Sequence, residues 1–490
     1  MFFGSAGGRV GHSGRAVCRY DTICVMGPVV LGILILALAP AAGWAQGPGA
    51  ADPVVVSGDH PRLFLRAGRL RLLRRERERH SMRWQQFEAL ISGNAPMPEP
   101  GFAQALYYQV SGARAAGRRA VEWALSASDL RQMALVYDWC QDVLTAAERD
   151  QLASRIARRT SETAALESIP GVRSRVLAAV ALFDEAPAAA PDLPRKELDR
   201  AVHSWWEGKL APALAAGTAV VPREDAYAMM ELLHALADSA RLDLRESAPA
   251  FFAAFPIEHL MSYYPAPYHE AEGDIYLGAT HRTGGPDLDS AAFSRAAELA
   301  MVAFDVNAPS TQVLQGWLMH DRFQLRTPLG APYEFLWANP YQPGLSYYQV
   351  PLVYYSPLSG RLYVRSSWED DAEWFGLFDG AMEWFRDGRV TTLNPHDAPH
   401  AAAEPLLLDA AAICFAGPDG RERGQWRLTL EDAQPVFVVG LEPRRAYLVE
   451  VDDEEIYEAA ADPAGILQID DVPHGRAAGI RLHAIIPAHR

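Results

Sequence analysis

The apolar residues of this chain change their spacing near Pro340, and that change limits what the chain can fold into. From Ala67 to Phe304 they recur every three to four residues, the interval of amphipathic helices. Beyond Pro340 they alternate at every second position, as half-buried strands do. The expected order is therefore helices first and sheets second.

The helical pattern covers Ala67–Leu90, where Leu70, Leu73, Trp84 and Phe87 share a face, then Gly101–Val110, Ala115–Leu125 and Leu130–Cys140. Thr145-x-x-Glu148 is a capping box that opens a helix over Ala146–Arg159. Further helices are expected at Arg175–Phe183, Leu198–Ala215, Tyr227–Ala240, Phe251–Tyr263 and Ala291–Phe304, with Pro and Gly clusters at the joins. Paired helices of this kind suit a toroid of antiparallel hairpins; a generic bundle or solenoid is the alternative. Strands are expected at Val350–Tyr355, Leu362–Arg365, Trp374–Phe378, Trp426–Leu430, Val436–Gly440, Ala446–Val451, Ile466–Ile469 and Gly479–Ile485. Their close spacing fits an antiparallel sandwich, and no crossover helices stand ready for parallel pairing.

Residues 1–45 read as a signal peptide. Arg9, Arg15 and Arg19 precede an apolar run from Ile23 to Ala39, and Gly43-Trp44-Ala45 offers a cleavage site before Gln46. The run is about 17 residues, the low limit for a membrane span, so a retained anchor is the competing reading. A start at Met26 would leave a leader with no basic residue. Residues 46–58 read as a linker, 59–340 as the helical domain and 341–490 as the sheet domain, since about 445 residues exceed one ordinary domain. The net charge is −16, and removal of a leader with three Arg and one Asp leaves −18. Such a charge disfavours nucleic acid and anionic membranes as partners. Beyond the leader only Cys140 and Cys414 remain; no disulfide is expected between them, and no paired Cys/His spacing argues for structural zinc.

Four segments carry a resemblance. They are Asp59–Leu65 (DHPRLFL), Ala134–Arg149 (ALVYDWCQDVLTAAER), Met261–Leu277 (MSYYPAPYHEAEGDIYL), and Arg365-Ser366-Ser367-Trp368-Glu369 through Phe378-Asp379-Gly380. In that order they resemble the heparinase II/III-like family, secreted or periplasmic proteins that handle acidic polysaccharides. The resemblance implies an α+β multidomain fold, an α/α toroid followed by an antiparallel β-sandwich. It also implies a polysaccharide lyase that cuts beside uronic acids by β-elimination. That chemistry needs a cation or donor to neutralise the uronate carboxylate, a Tyr or His to take the C5 proton, and an acid for the leaving oxygen.

On this reading Tyr227, at a helix start, is the first base or acid candidate, and the ordinary alternative is a core tyrosine. His234 lies two turns further along the same face. The densest polar cluster runs from Tyr268 to Arg282. It groups His269, Tyr276 and His281 as bases, Arg282 as neutraliser, and the carboxylates Glu270, Glu272 and Asp274; a solvated loop between helices is the plain alternative. Where family members place an Asn to grip the uronate, this chain has Arg173 and Arg175 ahead of a helix, able to act electrostatically. Trp206 is an aromatic candidate for stacking on sugars. No cofactor or metal is expected; His396, Asp397 and His400 are the residues that would hold one, with a polar turn as the default. The expected partner is an acidic polysaccharide. A non-catalytic glycan-binding protein on the same fold, or a glycoside hydrolase using paired carboxylates, are the competing functions.

Overall fold

A computed structural model describes residues 53–56, 58–270, 273–279, 285–321, 325–393, 404–417, 423–453 and 455–485. The helices are α1 (Ala67–Glu78), α2 (Met82–Ser92), α3 (Pro100–Ser111), α4 (Arg114–Ala124), α5 (Leu130–Trp139), α6 (Ala146–Glu162), α7 (Ile169–Ala181) and α8 (Leu193–Asp199). A π-helical stretch, Arg200–Leu210, joins α8 to α9 (Ala211–Ala215). Then come α10 (Ala226–Ala240), α11 (Pro249–Met261), α12 (Leu288–Phe304), α13 (Pro309–His320) and α14 (Gly330–Trp337).

The single helix expected over Ala67–Leu90 is two. The chain turns through His80, at φ 51°, and Ser81 restarts it by accepting from the Trp84 N–H at 3.3 Å. Arg173 and Arg175 lie within α7 rather than ahead of it, because Ser168 caps that helix and Pro170 sits in its first turn. The Thr145–Glu148 capping box forms as expected.

Six helices pack in succession: α3 on α5, α5 on α7, α7 on α10, α10 on α12 and α12 on α14. Helix α14 then lies against α2 and α3, so the succession returns to its start. The DHPRLFL and YDW segments meet beside these helices. Asp138 of α5 accepts from the backbone N–H groups of Arg62 (3.0 Å) and Leu63 (2.8 Å) and lies 2.5 Å from His60 Nδ1. The Trp139 indole donates to Leu63 O at 2.9 Å. One buried carboxylate thus satisfies two backbone donors that would otherwise cost about 1–3 kcal/mol each. The residues that carry the family resemblance here are architectural.

Strands β1 (Tyr268–Glu270) and β2 (Gly273–Ile275) form a small antiparallel hairpin between α11 and α12, where a polar loop was expected. The later strands are β3 (Val353–Ser356), β4 (Arg361–Arg365), β5 (Trp374–Phe378), β6 (Ala381–Arg386), β7 (Arg389–Leu393), β8 (Leu406–Leu408), β9 (Ala411–Phe415), β10 (Arg423–Thr429), β11 (Val436–Val439), β12 (Ala446–Val451), β13 (Glu455–Ala460), β14 (Leu467–Ile469) and β15 (Ala477–Ala484). They make three sheets ordered β3-β4-β5-β6-β7, β14-β11-β9-β8 and β10-β15-β12-β13.

Alternation along the strands shows how the sheets stack. Tyr363, Trp374, Phe378 and Phe385 of the five-stranded sheet join the helical core. Leu362, Val364, Phe375 and Leu377, on its other face, pack on Ile413, Phe415, Phe437 and Val439 of the middle sheet. Ala412, Cys414, Val436 and Val438 then face Trp426, Tyr447, Val449 and Ile480 of the outer sheet. The layers are therefore helices and three successive sheets, rather than a two-sheet sandwich. The middle sheet is covered on both faces, so β9 and β11 are apolar throughout. These two strands also pair in parallel, Ala412 opposite Val436, which departs from the expected all-antiparallel arrangement. The outer strand β10 supplies the connection between them, so no crossover helix is needed.

Helices and sheets together form one compact unit, Asp52–Arg490. Among the described residues no helix is long and apolar enough to cross a membrane. Cys140 and Cys414 are buried free thiols, and burial pushes both well above the ordinary thiol pKa.

Candidate functional site

A cleft of about 850 Å³ lies between the helical layer and the five-stranded sheet, within the size range of small-ligand sites. Three elements build its helical side. The turn before α10 brings Arg223 and Glu224, the segment after α11 brings Tyr264, and the start of α12 brings Asp287, Ser290 and Ser294. Strands β6 and β7 close the other side with Glu383, Phe385, Val390 and Thr392. The hairpin β1–β2 stands at the rim, its root tied down by Tyr264 N–H to Leu277 O (3.0 Å) and Ala279 N–H to Ser262 O (2.8 Å).

A hydrogen bond crosses the cleft. The Tyr264 hydroxyl donates to Glu383 Oε2 at 2.7 Å. The tyrosine ring is fixed by stacking on Phe385 (centroids 5.7 Å apart) and by an edge contact with Trp374 (5.3 Å). Burial, then the negative charge of Glu383, pushes Tyr264 well above the ordinary phenol value. A proton on this oxygen is therefore held firmly and is directed at a carboxylate.

The floor beneath Arg223 is a buried ionic cluster. Arg223 donates to Ser262 Oγ (2.6 Å), His259 O (3.0 Å) and Glu298 Oε1 (2.9 Å). Tyr263 also donates to Glu298, at 2.7 Å. Burial opposes ionisation of Glu298, but His259, Arg295 and Arg223 outweigh it and hold the carboxyl low. A Cβ at residue 278 would sit 2.1 Å from Arg223 Nε, so only glycine lets the guanidinium lie there. Arg223 is thus a cation whose charge already serves a protein carboxylate.

The structure separates the residues that the sequence grouped. Tyr227 is buried in α10; its hydroxyl donates to Glu231 Oε1 (2.9 Å) and accepts from the Trp337 indole (3.0 Å). Arg173 pairs with the same Glu231, as does Arg131, whose nitrogens reach it at 2.7–3.0 Å. His234 is buried between Phe304 and Trp337, with Nε2 2.9 Å from Ala300 O, and burial pushes it well below the usual imidazole value. Arg175 turns to the other side of α7, to Glu197 and the carbonyls of Thr163 and Leu166. Trp206 is core, its indole held by Leu244 O and Ser247 Oγ. Tyr276 donates to Asp370 at 2.8 Å and packs on Trp317. None of these six lines the cleft.

His269 does line it, at the exposed rim, paired across the hairpin with Asp274 at 2.7 Å. Glu272, His281, Arg282, His396, Asp397 and His400 lie outside the described residues. Among the described residues no group of three metal-binding side chains occurs. Sequence reasoning passed over Arg223, Glu224, Asp287 and Glu383 as site residues, and gave Tyr264 no role of its own. Tyr264 sat within a quoted segment, but Glu383 is 119 positions away and no local pattern links the two.

No protein-family model matches the chain, and no curated protein matches it. Among solved structures, a glycoside hydrolase is similar at 9% sequence identity and a TM-score of 0.28, over 79% of this chain and 71% of that one. A likeness of that size carries no argument about chemistry.

Proposed function

We propose that this protein is a secreted or periplasmic polysaccharide lyase of the heparinase II/III-like type. The closed succession of helices is then an α/α toroid, and the leader is removed before Gln46. The observation that carries this reading is the Tyr264–Glu383 pair, aimed across a cleft large enough for several sugars. In the elimination, the Tyr264 oxygen accepts the C5 proton of a uronate as its own proton passes to Glu383. The electrons left at C5 form the C4–C5 double bond, the C4–O bond breaks, and the departing oxygen is protonated. His269, at the rim with Asp274, would supply that second proton. Arg282, a few residues beyond the cleft-lining Gly278, is the sequence's candidate for neutralising the uronate.

A second reading has an observation of its own. Glu224, Asp287 and Glu383 line the cleft, while Arg223, its one arginine among the described residues, is already paired with Glu298. A carboxylate-rich cleft suits a glycoside hydrolase, with one group as acid and another as base or nucleophile. Incubation with a panel of acidic polysaccharides separates the two. Elimination gives an ultraviolet-absorbing unsaturated uronate, whereas hydrolysis gives new reducing ends without that absorbance. Glycan binding with neither product would indicate a binding protein.

A further inference from the structure

A second cavity of about 170 Å³ lies on the helical layer, between α7, α8 and the π-helical stretch Arg200–Leu210. None of its lining residues lines the cleft. It gathers three cations, Arg175, Arg200 and Lys209, around two carboxylates, Glu167 and Glu197. This local positive excess stands against a chain charge of −16.

The cations keep donors in reserve. Arg175 is buried (4% exposed) and directs Nε to Glu197 at 3.1 Å and Nη1 to Thr163 O (2.7 Å) and Leu166 O (2.6 Å). Its Nη2 has no hydrogen-bond partner among the described residues. Arg200 commits only Nη2, to Glu197 at 2.7 Å, and Lys209 holds Glu167 at 2.9 Å. A guanidinium carries five donors and an ammonium three, so each side chain has unused ones. Burial, then the charge of Arg200, pushes Arg175 below the ordinary arginine value. An added anion relieves that repulsion.

The backbone is shaped to make this grouping. At the roughly 100° per residue of an α-helix, positions 200 and 209 would point to opposite sides. The wider π turn brings Arg200, Ser204, Trp205 and Lys209 onto one cavity. Such π segments are rare and are frequently found at functional sites. The Trp205 ring forms an apolar wall, its indole N–H fixed on Glu167 O at 2.9 Å.

We propose that this cavity is an oxyanion site that takes a sulfate or carboxylate substituent of a glycan, holding the polymer outside the cleft in which it is cut. The choice of a sugar as carrier rests on the carbohydrate-active reading above; the oxyanion chemistry does not. The test is calorimetric titration of the full protein at about 0.15 M salt, where weak surface attraction is screened. Inorganic sulfate, a sulfated oligosaccharide and an unsulfated uronate oligosaccharide are the probes.

At least one charged oligosaccharide is expected to bind more tightly than inorganic sulfate. The double variant Arg200→Gln/Lys209→Gln, at two partly exposed positions, is expected to weaken it tenfold or more. Tyr264→Phe is expected to leave this binding unchanged, so loss of cutting and loss of the oxyanion site are told apart. Binding equal in wild type and double variant, or no binding of any probe, overturns the proposal. Binding of inorganic sulfate alone overturns the assignment to a glycan.

Discussion

Tyr264 and Glu383 stand 119 positions apart in the chain and 2.7 Å apart across the cleft, one on the helical layer and one on strand β6. The pair joins the two halves of the fold at the place where both are open to a ligand. After burial, the charge of Glu383 is what holds the Tyr264 phenol above its ordinary value.

Replacing Glu383 with Gln keeps an acceptor for the Tyr264 hydroxyl but removes both the proton acceptor and the charge. Cutting is expected to fall by about 10²-fold or more, the usual contribution of a positioned proton-transfer group. The cutting rate of the variant, shown by circular dichroism to be folded, checks this. An undiminished rate would show that Glu383 does not take the Tyr264 proton.

Asp138 ties the opening segment to α5 through the N–H groups of Arg62 and Leu63. Asp138→Ala leaves both donors buried and unpaired, for an expected loss of about 2–5 kcal/mol in denaturant unfolding. Asp138→Asn retains an acceptor oxygen and should lose less. Equal loss in the two variants would mean that cavity or charge, not the hydrogen bonds, decides the effect.

Glu231 compensates Arg131 and Arg173 where the helices α5, α7 and α10 meet. Removal of one partner from a buried ion pair commonly costs about 3–5 kcal/mol. Glu231→Gln should therefore lower the melting temperature sharply, although Arg131 keeps Glu99 at 2.9 Å. A melting curve like that of the wild type would show that Glu99 alone suffices.

Glu334 gives a pH signature. Burial is the largest influence on it and raises its carboxyl from the ordinary 4.5 to about 7. The folded protein then holds this proton at pH values where the unfolded chain has released it. Stability from this group is full below pH 4.5, declines as pH rises towards 7, and stays low above. Glu334→Gln should flatten that decline, so its advantage over the wild type is larger at pH 8 than at pH 5. Asp321, raised by burial to about 6, adds a decline in the same direction at lower pH. Unfolding free energies at the two pH values check both; parallel curves for wild type and variant would contradict the assignment.

How much of this was legible before the fold was known differs by element. The helix-to-strand order, the capping box at Thr145 and most of the inner helices followed from periodicity and caps, because those signals are local. The break at Ser81 was missed because Arg79, His80 and Ser81 sit between two stretches of the same helical phase. The third sheet was missed because β9 (Ala411–Phe415), covered on both faces, carries no alternation, which left the expected strand at Val436–Gly440 without its neighbour. Tyr227 drew attention through its place at a helix start, yet that place sets it in the buried Glu231 network and not on the cleft. The Tyr264–Glu383 pair could not be read at all, since it exists only once a strand is laid against a helix end.

The most direct measurement is ultraviolet absorbance of unsaturated uronate during incubation of the protein with acidic polysaccharides, run beside Tyr264→Phe. The phenylalanine ring preserves the packing on Phe385, so the variant is expected to melt within about 1–2 kcal/mol of the wild type. A rise in absorbance that the wild type gives and the folded variant does not is the result expected of an eliminating tyrosine. A rise of equal rate in both would contradict the role of Tyr264, and new reducing ends without absorbance would contradict elimination itself.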